Sequence, residues 1–210
     1  MNFEMLIKKQ IFIVALVLAT IPLRAQFSYV NQFGGASTNS PLNEVRHIDV
    51  DDDGSVYMAD YGDNQIKIFD ASGKLIRQFG KEGFGNGEFK GSNGIALDGN
   101  KNIYVTDYNN NRVQKFDQYG NFLMKFSLTS RSDGATNQPN GITVDKNGNI
   151  YVTLIRKQQI EVYSPAGQLI RSVGINSGDL NANGRLLAPQ DVAVDNNLNI
   201  YVIDGDDHLT

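Results

Sequence analysis

The 210-residue sequence contains no cysteine. Disulfide bonds, thiolate metal ligands, a cysteine nucleophile and a lipid-modified cysteine anchor are therefore all excluded. Small secreted domains often depend on disulfides, but a chain of this length can bury a sizeable core without them. Packing between repeated units must then supply the stability.

The sequence also lacks an excess of positive charge and contains few histidines. Its 19 Lys and Arg are outnumbered by 23 Asp and Glu, which gives a net charge of −4. Proteins that bind a nucleic acid backbone normally present a basic face, so this balance argues against a nucleic acid partner. The two histidines, His47 and His208, are too few to hold zinc without cysteine. No G-x-S-x-G, phosphate-loop or H-E-x-x-H motif is present.

Only one long hydrophobic run is present, and it lies near the N-terminus. Residues 11–23, IFIVALVLATIPL, follow Lys8 and Lys9 and precede Ala25. The run is shorter than the roughly 18–20 residues that cross a bilayer stably, but it suits the hydrophobic region of a signal peptide. We predict a signal peptide over residues 1–25 and a secreted or periplasmic mature chain without a membrane span. The alternative is an uncleaved anchor.

Internal repetition is the strongest feature that is present. The segment NGIALDGNKNIYVTDYNNNRVQKFDQYGNFLMKF, starting at Asn93, aligns without gaps with the segment starting at Asn140. Related segments start at Arg46 and at Gln190. Tyr57, Tyr104, Tyr151 and Tyr201 mark the repeats, with spacings of 47, 47 and 50 residues. A period in the forties with several short strands per unit is typical of a β-propeller blade.

Each repeat has the pattern of a four-stranded antiparallel meander. Runs such as GIALD and IYVTD are rich in aliphatic residues and suit strands packed on both faces. Runs such as RVQKFD alternate polar and apolar residues, which predicts one buried and one solvated face. Turns rich in Asn, Asp and Gly separate them. We therefore predict an all-β propeller with blades at 45–80, 93–127 and 140–174 and a partial blade at 190–210.

The order of these motifs resembles the NHL repeat, and the resemblance covers residues 27 to 210. NHL-like propellers usually have six blades, which require roughly 240–300 residues. The resemblance therefore implies a fragment or, alternatively, an open arc that closes by self-association. Residues 27–35, FSYVNQFGG, match the outer-strand ends LIRQFG and LIRSVG and are predicted to be a closing strand lent to the last blade.

Four equivalent residues begin the inner strands and are predicted to form a polar ring at the channel mouth: Arg46, Asn93, Asn140 and Gln190. We take them as candidate ligand-binding residues. Gluconolactonase-like propellers, which are similar in architecture, use an Asn in a similar P-N-G context as a calcium ligand, and Pro139-Asn140-Gly141 resembles it. The alternative is that these side chains cap strand starts through hydrogen bonds to the backbone.

Two acidic patterns have both a functional and a structural interpretation. The run from Asp49 to Asp60 matches most of an EF-hand calcium loop, but it also aligns with the plain turns of the other repeats. Asp107 and Arg112 are placed to pair across the turn after the second strand. We favour the structural interpretation for both and predict no cofactor, with Ca²⁺ the one metal left open.

The sequence as a whole favours a secreted binding or scaffold propeller. Its protein, peptide or glycan ligand would bind the long inter-blade loops, because loops on a rigid scaffold are the usual sites of recognition. The alternative is a metal-dependent propeller enzyme of the lactonase or lyase kind with a site at the central channel. The repeats do not identify the ligand, the oligomeric state or the total number of blades, since one fold hosts many functions.

Overall fold

A computed structural model describes residues 42–129, 134, 136–174 and 184–205. The predicted signal peptide over residues 1–25, the predicted closing strand at 27–35, and His208 lie outside the described residues. So do several residues of the inter-blade loops and the end of the fourth repeat. In the part that is described, no helix is long and apolar enough to span a membrane.

The described residues form antiparallel sheets in chain order, as the repeats predict. We call them blades 1 to 4. Blade 1 contains β1 (Val45–Val50), β2 (Val56–Asp60), β3 (Gln65–Phe69) and β4 (Leu75–Phe79). Blade 2 contains β5 (Ser92–Leu97), β6 (Ile103–Asp107), β7 (Arg112–Phe116) and β8 (Phe122–Ser127).

Blade 3 repeats the same arrangement, and blade 4 has two strands within the described residues. Blade 3 contains β9 (Pro139–Val144), β10 (Ile150–Leu154), β11 (Gln159–Tyr163) and β12 (Leu169–Val173). Blade 4 contains β13 (Ala188–Val194) and β14 (Ile200–Gly205). Single 3₁₀ turns at Tyr108–Asn110 and Ile155–Lys157 join the second and third strands of blades 2 and 3. The predicted all-β fold of three complete blades and a partial fourth is confirmed.

A repeated aspartate sets the turn between the first and second strands. In blade 2, one carboxylate oxygen of Asp98 accepts hydrogen bonds from the backbone N–H groups of Asn100 and Asn102. The other oxygen accepts from Asn102 Nδ2 at 2.8 Å and from the Tyr104 hydroxyl at 3.1 Å. Asp145 makes the same bonds in blade 3. In blades 2 and 3 the marker tyrosine therefore braces this turn as well as filling the core.

The hydrophobic core lies between successive blades. One layer joins blades 1 and 2 and includes Ile66, Phe89 and Phe116. A second layer joins blades 2 and 3, and a third joins blades 3 and 4. The second strand of each of the first three blades is buried along its whole length, whereas the outer strands β4 and β8 alternate between half-buried and exposed residues. The inner strands of successive blades pack side by side: β1 against β5, β5 against β9 and β9 against β13.

Candidate functional site

Each of the four predicted site residues lies at an interruption in the pairing of its inner strand. In blade 1, Val45 pairs with Asp60 and His47 pairs with Ala59, so Arg46 is left over. The pairing shifts in the same way around Asn93, Asn140 and Gln190. A β-bulge of this kind redirects a side chain away from the normal alternation. In blades 2 and 3 the bulge turns the asparagine side chain toward the next blade.

Three of the four side chains form a continuous chain of amides across blades 2, 3 and 4. Asn93 Nδ2 donates to Asn140 Oδ1 and, at 3.4 Å, to the carbonyl oxygen of Pro139. Asn140 Nδ2 donates to the Gln190 carbonyl at 2.8 Å and to Gln190 Oε1 at 2.9 Å. Every donor points toward the later blade, so the acceptor at the start of the chain, Asn93 Oδ1, is buried without a hydrogen-bond partner.

Close approach of the inner strands at this level requires glycine after each asparagine. A Cβ on Gly94 would lie 2.2 Å from the carbonyl oxygen of Asn140, and one on Gly141 would lie 2.3 Å from Asp191 Oδ1. The Thr106 hydroxyl accepts from the backbone N–H of Gly94 and donates to the Asn140 carbonyl. Thr106 thus supplies the hydrogen bonds that the bulge removes and ties blade 2 to blade 3.

Arg46 does not join the amide chain. Its guanidinium donates to Glu44 Oε1 at 2.7 Å and lies 3.9 Å from the centre of the Tyr61 ring. A planar, permanently charged group gains more from a carboxylate and an aromatic face than from a chain of neutral amides. The predicted four-member ring therefore consists of three amides, with Arg46 turned to the inter-blade loops.

A contact between two side chains that the sequence did not indicate lies at the same level. His47 Nε2 lies 3.1 Å from Asp191 Oδ1, although the two residues belong to blades 1 and 4. Both follow a bulged residue and take the place that glycine holds in blades 2 and 3. Alignment of the repeats places them at equivalent positions, and that alignment is the only sequence signal that pointed to their meeting.

The carboxylates of the calcium-loop-like run are divided among different partners. Lys101 Nζ lies 2.7 Å from Asp51 Oδ2 and 2.9 Å from Asp53 Oδ2. Asp49 accepts from the backbone N–H of Leu97, and the buried Asp60 pairs with Lys67. The described residues contain no group of three or more His, Cys, Asp or Glu side chains arranged to hold a metal ion. These contacts match the structural interpretation of the run.

Arg112 holds the loop between blades 1 and 2 against the sheet. Its Nε pairs with Asp107 Oδ2 at 2.8 Å, as the sequence predicted. Its terminal nitrogens donate to the carbonyl oxygens of Phe84, Gly85 and Glu88. Burial raises the pKa of Asp107, against hydrogen bonds from the Lys90 backbone, Asn110 and Arg112 that lower it. One guanidinium therefore bonds Asp107 and three carbonyls of a surface loop, four acceptors in all, whereas a lysine ammonium has only three N–H donors.

The loop face also carries aromatic rings that the repeat pattern did not single out. The side chain of Phe84 is exposed. The Tyr61 and Tyr108 rings meet edge to face, with centroids 6.2 Å apart. Burial and then the nearby Tyr61 hydroxyl raise the pKa of Tyr108, whereas Arg46 and Arg156 lower it. The sequence signal that could have identified these rings was the presence of aromatic residues in the loops. The alternation of polar and apolar residues describes strands, so it does not show which loop residues bind a ligand.

Comparison with known families gives one match. Residues 84–181 match the family described as the SMP-30/gluconolactonase/LRE-like region, which is less than half of the chain. No curated protein matches. The matched region begins in the loop that Arg112 holds and includes Asn93 and Asn140, but not Arg46 or Gln190.

Solved structures share the fold at low sequence identity. A streptogramin B lyase is 18% identical with a TM-score of 0.59, over 76% of this chain and 48% of that chain. Hydrazine synthase from Kuenenia stuttgartiensis is 15% identical with a TM-score of 0.61, over 85% and 47%. A protein of unknown function from Bacteroides caccae is 15% identical with a TM-score of 0.57, over 79% and 57%. This chain thus spans about half the length of these proteins, and the likeness shows a β-propeller fold.

Proposed function

We propose that this protein is an exported binding or scaffold module that presents a ligand-binding surface on the inter-blade loops. The observation that carries the proposal is the loop at residues 80–91, which Arg112 fixes through three carbonyl oxygens. Ordering a surface loop costs conformational entropy, so a loop that is already ordered loses less conformational entropy when it binds a ligand. Phe84, on this loop, is 67% exposed.

The contacts of the predicted site residues support a structural rather than a catalytic role for the amide chain. Asn140 donates to Gln190 and accepts from Asn93, so its amide group is already engaged. Arg46, by contrast, lies over Tyr61 on the loop face. The proposal therefore places ligand recognition at the loop face, with Arg46 as a contributor, and gives Asn93, Asn140 and Gln190 the role of joining the blades.

The test is a binding screen of the full chain on glycan and peptide arrays, with one variant on each end of the sheets. Phe84→Asp alters the loop face. Tyr119→Asp is the matched control, because Tyr119 is a similarly exposed ring (61%) on the turn between β7 and β8 at the opposite end. We expect ligands retained by the wild type and Tyr119→Asp to be lost by Phe84→Asp. Absence of any ligand, or equal losses in both variants, would refute the proposal.

A metal-dependent propeller enzyme of the lactonase or lyase kind is the second candidate. It is favoured by the buried, unpaired Asn93 Oδ1, which lies where inner strands converge and needs a donor or a cation. The fit is weak, since Asn140 Oδ1 already accepts from Asn93 and only one amide oxygen of that pair remains for a hard cation. The chain would hold the ion through Asn93 Oδ1.

Native mass spectrometry of the full chain, purified without chelator, separates the two candidates. The binding-module proposal predicts no stoichiometric Ca²⁺ or Zn²⁺ adduct. An adduct present in the wild type and lost in Asn93→Ala would instead favour the enzyme. Thr143→Ala serves as the control, because Thr143 lies on the neighbouring inner strand β9 beyond its bulge.

A further inference from the structure

An open pocket lies on the loop face between blades 1 and 2. Its volume is about 440 Å³, enough for one or two sugar or amino-acid units. The side chains that line it include Tyr61, Asn64, Glu82, Phe84, Lys90 and Asn109. A second pocket of about 480 Å³ adjoins it and shares Phe84 and Asn109. Phe84 thus stands between two clefts.

The pocket combines aromatic rings with one cation, Lys90, and one carboxylate, Glu82. Lys90 Nζ lies 4.7 Å from the centre of the Phe84 ring, and the Arg46 guanidinium lies against the Tyr61 ring. Within the described part of the chain, Lys90 forms no ion pair. Glu82 lies in the same lining, so the pocket carries charges of both signs. Lys90 therefore offers an anionic group a cation beside a flat apolar surface, and Glu82 offers hydroxyl groups an acceptor.

Three backbone donors at the pocket are already engaged. The N–H of Tyr61 donates to the Glu44 carbonyl at 2.9 Å, and that of Lys90 donates to Asp107 Oδ1 at 2.7 Å. The N–H of Gly91 donates to Asn64 Oδ1 at 2.6 Å. A peptide that binds through its main chain needs free backbone groups of this kind. At these three positions the pocket offers a ligand ring faces, side-chain amides and the ammonium group instead.

We propose that this pocket binds an acidic sugar, as in a uronic acid unit of a polysaccharide. The sugar ring would stack on Phe84, its hydroxyls would bond the side-chain amides of Asn64 and Asn109, and its carboxylate would pair with Lys90. The Oδ1 of Asn64 is held by Gly91, which leaves its Nδ2 as a donor to a hydroxyl. The inference rests on the proposed function and specifies the class of ligand that the loop face takes.

Isothermal titration of the full chain with trigalacturonic acid and with its neutral methyl ester tests the inference. We expect the acid to bind and Phe84→Ala to weaken its binding at least roughly tenfold. Lys90→Gln should remove the preference for the acid over the ester, and raised salt should weaken binding of the acid alone. The matched control is Tyr119→Ala, because Tyr119 is also an exposed ring beside a cation, with Arg77 5.4 Å from its centre. The affinity of the Tyr119→Ala variant for trigalacturonic acid should stay unchanged.

The possible failures are distinguishable. If trigalacturonic acid does not bind, or binds equally to Phe84→Ala and the wild type, the inference is wrong. If a neutral glycan or a peptide from the arrays binds and is lost in Phe84→Ala, the acidic-sugar inference is wrong while the binding-module proposal stands. If no array ligand and neither titrated sugar binds, both are wrong.

Discussion

Blades 2 and 3 have the same four strands but opposite arrangements of charge beneath their inter-blade loops. In blade 2 the acid ends the second strand, where Asp107 pairs with Arg112 at 2.8 Å. In blade 3 that position is Leu154, and the acid is Glu161 on the third strand, paired with Lys157 at 2.6 Å. Glu161 also accepts hydrogen bonds from the hydroxyls of Thr129 and Tyr163.

Blade 1 shows a third arrangement of buried polar groups at the equivalent position of its third strand. Lys67, Gln114 and Glu161 each occupy the third position of their β3, β7 or β11 strand, and all three are buried. Lys67 pairs with Asp60 and Asp63, whereas Gln114 donates to the Glu88 carbonyl. The fold therefore requires a satisfied polar group at this position but not a particular charge. Buried polar groups are tolerated when each finds its partner.

The comparison predicts its largest effect for Asp107→Leu, which gives blade 2 the residue of blade 3. Arg112 would then be buried without its carboxylate, and the backbone N–H of Lys90 would lose its acceptor. We expect a loss of about 3–5 kcal/mol in the free energy of unfolding, measured by urea denaturation. The double variant Asp107→Leu/Arg112→Gln, which copies Leu154 and Gln159, should lose less. A double variant that is less stable than the single one would contradict this account.

A smaller loss is expected for Glu161→Gln in blade 3. The amide keeps the shape and one acceptor but turns an N–H₂ group toward donors, at a cost of about 1–3 kcal/mol. Lys157 is 27% exposed and remains partly hydrated, whereas Arg112 is 8% exposed. The same denaturation assay should therefore rank Glu161→Gln between the wild type and Asp107→Leu. A Glu161→Gln loss that exceeds that of Asp107→Leu would show that enclosure of the cation does not decide the ranking.

The smallest effect concerns a feature that the two blades share. Burial acts to raise the pKa values of Asp98 and Asp145, but hydrogen bonds from Asn102 and Asn149, among others, outweigh it and hold both below their usual value. The ionised carboxylates therefore stabilise the fold at neutral pH, and this contribution is lost as the pH falls below about 4. We expect Asp98→Asn and Asp145→Asn to reduce, by the same amount, the fall in the free energy of unfolding as the pH is lowered, measured by urea denaturation at a series of pH values. Unequal reductions would mean that the turns are not equivalent.

Much of the fold was predictable because it depends on local pattern. Aliphatic runs indicated the strands, and Asp, Asn and Gly indicated the turns. The solvated face predicted for the third strands was wrong, because β3, β7 and β11 are buried along nearly their whole length between neighbouring strands and blades. The pairing of Asp107 with Arg112 also followed from spacing within one turn. The meeting of His47 with Asp191 did not, because it joins residues of two different blades. No short-range pattern encodes how the inner strands converge.

The candidate site divides in the same way. The sequence by itself determined that Arg46, Asn93, Asn140 and Gln190 occupy equivalent places in four repeats. Tertiary structure alone decided that three of them link through amides while Arg46 turns to Tyr61, and that Arg112 reaches the carbonyls of Phe84, Gly85 and Glu88. The physical reason is that periodicity assigns a residue to a face of its own sheet, whereas its partners depend on how neighbouring sheets and loops pack against that face.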